Sequence, residues 1–187
     1  MAVHEVDVED RIFDGEPAEL RELPNGRFEF NGYAALFNTP SEPMPFIETI
    51  EPGAFKRSLG SGRVVPLLVD HDDKRLLAST RNTLRLSEDS RGLVASAELV
   101  PTAISESVRA WNAEGMANAM SFRFKPTAMA ADGKPGESWS DNGARRTLHE
   151  VRLFEVSIIT DAHAPAYRGT SAYVRSLAER YAYEPEA

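Results

Sequence analysis

Apolar residues recur along this chain mainly at every second position, the spacing of half-buried strands, with two or three stretches that switch to helical spacing. In "RFEFNGYAALFN", Phe28, Phe30, Tyr33, Leu36 and Phe37 predict a strand that bends at Gly32. "FIETIEPGAFKRSLGSG" predicts a short strand and then a short helix, with Pro52 suited to its first turn and Gly60 to its stop. "RVVPLLVDHDD" is a continuous apolar run, as in a strand buried on both faces, and its Pro66 implies an edge or a bulge. That strand ends in Asp70, His71, Asp72 and Asp73. "TLRLSED" and "GLVASAEL" alternate strictly around "SRG" and predict a hairpin. In "PTAISESVRAWNAEG", Ile104, Val108 and Trp111 lie at helical spacing, with Thr102 placed to cap and Gly115 to end the helix. A strand at "NAMSFRF" follows almost at once.

"ADGKPGESWSDNGARR" reads as a long loop, and "TLHEVRLFEVSIIT" after it is the strongest strand in the chain. "SAYVRSLAERYAYEPEA" carries Val174, Leu177 and Tyr181 as the apolar stripe of a terminal helix. Residues 1–26 are polar and interrupted by Pro17, Pro24 and Gly26, so they are expected to be a poorly ordered segment. No internal repeat is present. The fold class expected is mainly β with peripheral helices (α+β): an antiparallel, barrel-like sheet wrapped by a few helices. The main domain is expected over residues 27–168, with a helix and tail over 169–187.

With 187 residues, the chain suits a single core. The net charge of −8, spread along the chain, speaks against nucleic acid or anionic lipid as a partner. The absence of cysteine excludes disulfides, thiolate zinc sites and a cysteine nucleophile. "MAVHEVDVED" lacks the apolar stretch of a signal peptide, and no window reaches the ~18 apolar residues of a membrane span. A soluble protein that stays where it is made is expected.

Three residues attract chemical interest. Alternation puts Ser121, Arg123 and Lys125 on one face of their strand and Met120, Phe122 and Phe124 on the other, the core face. On pattern alone Ser121 reads first as a polar residue on the wet face, with a nucleophile as the rarer alternative. His71 is open to three roles: metal ligand, general base, or surface residue among acids. Metal binding has weak support, because neighbouring carboxylates in a strand point to opposite faces and only His4, His149 and His163 supply further imidazoles. A serine hydroxyl does need a neighbouring base. Glu155 lies within a largely apolar strand, where a carboxylate is costly to bury without a partner. Arg123 would make it a structural ion pair, and a histidine would make it catalytic; both remain open.

Taken in order, these stretches resemble the prohead protease family of tailed phages, the serine endopeptidases that mature capsids, over residues 28–167. "FNGYAALFN" is similar to the family's opening strand, "IEPGAF" with "SL" to its next segment, and "VPLLVDHD" to the strand ending in the catalytic histidine. "GLVASAEL" resembles its glycine-leucine hairpin, "MSFRF" the segment with the nucleophilic serine, and "LFEVSIIT" the segment with leucine, an acid and valine-serine. The resemblance implies Ser121 as nucleophile, His71 as general base and Glu155 as the orienting acid, on a fold similar to that of the herpesvirus assembly proteases.

His149 is a rival third member, because related viral enzymes use a histidine there. Arg123 stands where the family often has glycine, which gives it a potential oxyanion or substrate role, and "DAHAPAY" replaces a proline-alanine-asparagine turn and brings His163 near the site. The implied substrate is the scaffolding segment of a major capsid protein or a separate scaffold protein. The implied setting is the assembling prohead in the host cytoplasm, with self-cleavage near the termini and a homo-oligomer both compatible. No cofactor and no metal are implied. Two alternatives stand beside this: an inactive assembly module of the same fold, and a metal hydrolase built on Asp70, His71 and Asp72.

Overall fold

The structure is a computed structural model that describes residues 8–13 and 18–160. In chain order the strands are β1 (Glu9–Phe13), β2 (Glu19–Glu22), β3 (Phe28–Leu36), β4 (Ile47–Ile50), β5 (Pro66–Val69) and β6 (Asp72–Ser79). They continue with β7 (Arg85–Glu88), β8 (Gly92–Leu99), β9 (Ala119–Pro126), β10 (Glu137–Ser140), β11 (Arg145–Leu148) and β12 (Val151–Ile159). Helices α1 (Lys56–Leu59) and α2 (Ala103–Ala113) lie between them. Three sheets result, ordered β1-β9-β12-β5-β6, β2-β3-β8-β7 and β10-β11-β4.

The mainly-β composition with few helices agrees with the sequence reading, but the barrel does not. Among the described residues the strands form three separate open sheets, and two pairings, β12 with β5 and β11 with β4, are parallel. The expected loop after residue 130 contains the hairpin β10–β11. Its turn uses positive φ at Asp141, Asn142 and Gly143, and the Trp139 ring meets Phe46 edge-on at 4.8 Å. The "strongest strand" is two strands, parted at His149 and Glu150. Residues 9–13, where no element was expected, form β1 on the edge of the five-stranded sheet. The stretch hides its strand character because its inward side chains include charged Glu9 and Arg11, which are paired rather than apolar. The predicted terminal helix and His163 lie outside the described residues.

Helix α2 is capped as its sequence suggests. The Thr102 hydroxyl accepts from the Ser105 N–H, the Ser105 hydroxyl accepts from the Thr102 N–H, and Gly115 follows the helix at φ +77°. The core is aromatic around β9. Phe122 meets Phe55 edge-on at 5.2 Å and packs against Phe124 at 4.8 Å and Phe13 at 5.9 Å. Rings of this size fix the pitch of β9, and with it the direction of the residues between them.

β12 is bonded differently along its length. Val156, Ser157 and Ile158 pair with β5, while nearer the start the Val151 N–H donates to the Ala54 carbonyl and the Leu153 N–H to the Ser58 hydroxyl. The segment around α1 thus completes the sheet where β5 is missing. Pro66 is tolerated in β5 because it is the strand's first residue, ahead of the pairing with β12, which begins at Leu67; the irregularity of the β5–β6 pairing comes further on, with register shifts on either side of Leu68.

Candidate active site

Ser121 is at the middle of β9, fully buried, with β1 on one side and β12 on the other; it lies opposite Ile12 and Ser157. Because β9 is flanked on both sides, the backbone of Ser121 is committed to the sheet and only its hydroxyl is available for chemistry.

His71 comes from a two-residue turn rather than from a strand end. Asp70 and His71 have φ of +53° and +59°, and Val69 pairs with Asp72 across them. Positive φ at both central residues is the hairpin turn that matches strand twist, although neither residue is glycine. The surroundings hold it in place. The Asp70 carboxylate accepts from the Thr160 N–H at 2.8 Å and from Arg75 at 2.8 Å, and the His71 N–H donates to the Ser157 hydroxyl at 3.2 Å. These bonds aim the imidazole at β9: Nε2 lies 2.8 Å from the Ser121 Oγ, and Nδ1 is hydrogen-bonded to Glu155 Oε1. A carboxylate only accepts, so Nδ1 carries the proton and Nε2 presents its lone pair to the serine O–H.

Glu155 reaches this position because β12 contains a bulge. Leu153 lies opposite Phe124 and Val156 opposite Phe122, so β12 uses one more residue than β9 over this interval. Leu153 and Val156 therefore both face the core, while Glu155 and Ser157 turn toward the Ser121 face. Strict alternation had put Leu153 and Glu155 on one face; the extra residue, at Phe154, is why they part. The buried Glu155 is not left alone. Besides His71 it accepts from the Ser157 hydroxyl at 3.3 Å and has Arg123 Nη1 at 3.6 Å from its second oxygen.

Both partners foreseen for Glu155 are thus present together. Arg123 in turn grips Asp10 of β1 through Nε at 2.8 Å and Nη2 at 3.2 Å. The hydrogen bond to Asp10 strengthens its hold on its proton against partial burial, aided by the charges of Asp10 and Glu155. Its Nε and Nη2 are thus committed to Asp10, while Nη1 is the nitrogen nearest Glu155. Asp10 also lies 3.8 Å from His71 Nδ1.

His149 is elsewhere. Its Nδ1 is 2.8 Å from Glu51 and its Nε2 2.7 Å from Ser138, so it is not brought to His71. Asp70 and Asp72 do not gather round the imidazole either; Asp70 clamps Thr160 and Arg75, and Asp72 accepts from the Lys74 N–H. Among the described residues, the set within metal-ligand reach is Asp10, His71 and Glu155, whose ligand atoms lie within 4.8 Å of one another. The Arg123 guanidinium already supplies the positive charge between those two carboxylates, so a cation there would compete with it. Asp10 carried no sequence signal beyond an acidic run. Ser157 did have one, since it falls two residues after Glu155 and shares its face.

Comparison with known proteins bears on this arrangement. The family model described as Caudovirus prohead serine protease matches residues 16–182. Among solved structures, the bacteriophage T4 capsid assembly protease is similar with a TM-score of 0.56 and 10% identity, over 81% of this chain and 96% of that one. At that identity the likeness is one of fold. No curated protein sequence matches the chain.

Proposed function

Since the chain belongs to the Caudovirus prohead serine protease family, we propose that it hydrolyses peptide bonds with Ser121 as nucleophile, His71 as general base and acid, and Glu155 as the carboxylate that orients the imidazole. The observation that carries this reading is the unbroken run of hydrogen bonds from Ser121 Oγ through both His71 nitrogens to Glu155. His71 Nε2 takes the Ser121 proton as Oγ bonds to the peptide carbonyl carbon. The same proton then goes to the amine as the C–N bond breaks, and a water activated by His71 releases the acyl group. Glu155 stabilises the imidazolium formed in between. Ser157 ties two parts of the system together, accepting from the His71 N–H and donating to Glu155.

The substrate in this reading is the scaffolding segment of a major capsid protein, or a separate scaffold, cut within the assembling prohead; self-cleavage near the termini belongs to the same reading. The likeness to herpesvirus assembly proteases is part of it too, supported by the mainly-β make-up alone. Because Ser121 is fully buried, a carbonyl reaches it only after something over the hydroxyl moves. That burial is also what an inactive assembly module of this fold would show, and one experiment separates the two. Co-expressed with its capsid protein, the wild-type chain shortens the capsid protein and Ser121→Ala does not. Equal processing by both, or none by either, contradicts the protease reading.

A further inference from the structure

Four residues beyond Ser121 on β9, the outer face of the sheet opens into a cleft of about 440 Å³. Arg57, Arg63, Lys125 and Arg152 line it, with Glu150 as the one acid. Glu150 is already engaged: it accepts from Arg57 at 3.1 Å, from Thr127 at 3.1 Å and from the Ala131 N–H at 2.9 Å. No carboxylate among the described residues lies within ion-pair distance of Arg63, Lys125 or Arg152. In a chain with a net charge of −8, three unneutralised cations around one concavity run against the overall balance.

The register gives this cleft its meaning. Lys125 and Arg152 lie directly opposite each other on β9 and β12. Lys125 shares the Ser121–Arg123 face of β9, so the cleft begins about 13 Å along the strand from the serine. An extended peptide whose carbonyl sits at Ser121 spans that distance in about four residues. The cleft floor is partly apolar, with Pro126, Val151 and exposed Met129, which suits side chains with an aliphatic stem and an acidic tip.

We propose that this cleft is a specificity subsite that takes acidic side chains of the substrate, glutamates in particular, about four residues to one side of the scissile bond. The proposal rests on the reading of Ser121 as nucleophile, but its first test does not. A fluorescein-labelled dodecapeptide of alternating Ser and Glu is titrated with the full-length chain and followed by anisotropy, beside its Ser-Gln counterpart. The Glu peptide binds about tenfold more tightly at low salt, and the advantage shrinks as salt rises. It persists in Ser121→Ala, and it is lost in the Arg63→Gln, Lys125→Gln, Arg152→Gln combination. If that combination fails to fold, the single Lys125→Gln and Arg152→Gln variants each weaken binding severalfold.

The second test asks whether the cleft serves catalysis. The Glu peptide raises KM for Ser121-dependent cleavage of the capsid protein and leaves kcat unchanged. Equal binding of the two peptides, undiminished binding by the variants, or binding that leaves KM unmoved overturns the subsite. A single-stranded oligonucleotide that binds the cleft more tightly than the Glu peptide assigns it to nucleic acid instead and also overturns it. Ser121-dependent cleavage with no preference for the Glu peptide removes the subsite and leaves the protease reading intact.

Discussion

Glu155 and His149 sit in adjoining parts of one sequence stretch, yet the structure treats them very differently. Glu155 is 3% exposed and bonded to His71, whereas the His149 nitrogens face Glu51 and Ser138. Comparing Glu155→Gln with His149→Ala in a cleavage assay therefore has an uneven expected outcome. The amide lowers kcat by about 10⁴-fold, because it no longer fixes the imidazole in its Nδ1–H form, as the equivalent change does in a serine-histidine-aspartate enzyme. His149→Ala leaves the rate within about twofold, since its partners are half-exposed surface groups. A large loss from His149→Ala would contradict the assignment. Ser121 and His71 were nameable from their segments, and their pairing came from the family resemblance alone; apolar spacing does not show it, because fifty residues of chain must fold before the two meet. Asp10 was hidden altogether, since an acidic terminal segment looks the same whether it is solvated or paired.

At the level of elements, the site depends on two local departures from regular structure that periodicity does not reveal. One is the bulge at Phe154, which changes the face on which the following residues project; the other is the Asp70–His71 turn, which replaces a strand end. The regular pieces were legible: β3, β4, the β7–β8 hairpin, α2 and β9 follow from apolar spacing and caps, whereas α1 stops at Gly60 as expected but starts at Lys56, with Pro52 in the turn before it and no side-chain cap at its start. The β10–β11 hairpin was missed although "DNG" is turn chemistry, because its strands are polar and carry few alternating apolar residues. A testable consequence concerns α1. Ser58 is the acceptor for the buried Leu153 N–H at 2.9 Å, just before the bulge. Ser58→Ala leaves that donor unpaired and costs about 1–3 kcal/mol in urea unfolding. A change below about 0.5 kcal/mol would mean that β12 does not need α1 to complete its edge.

Across the molecule, β1 joins the five-stranded sheet to the three-stranded one. Its Asp10 faces the site, while Glu9 and Arg11 face a buried network with Glu48 of β4, Glu137 of β10 and Arg146 of β11. Burial alone would raise the Glu9 pKa, but the hydrogen bond and charge of Arg146, together with Arg11, outweigh it and hold the carboxyl below its usual 4.5. A lowered folded-state pKa means that the network's contribution is complete above about pH 4.5 and is lost as pH falls through the lower folded value. The thermal midpoint should therefore fall between pH 5 and pH 3, and Glu9→Gln should flatten that slope while lowering the midpoint at pH 7. A slope identical in both proteins would show that Glu9 plays no part in acid sensitivity. The central claim, that the buried Ser121–His71–Glu155 run is a working nucleophile, is tested most directly by covalent labelling. The full-length chain is incubated with a fluorophosphonate and analysed by intact mass and peptide mapping. The account predicts one adduct, on Ser121, absent from Ser121→Ala and strongly reduced in His71→Ala; an adduct on another residue, or none on a chain that cleaves its substrate, would contradict it.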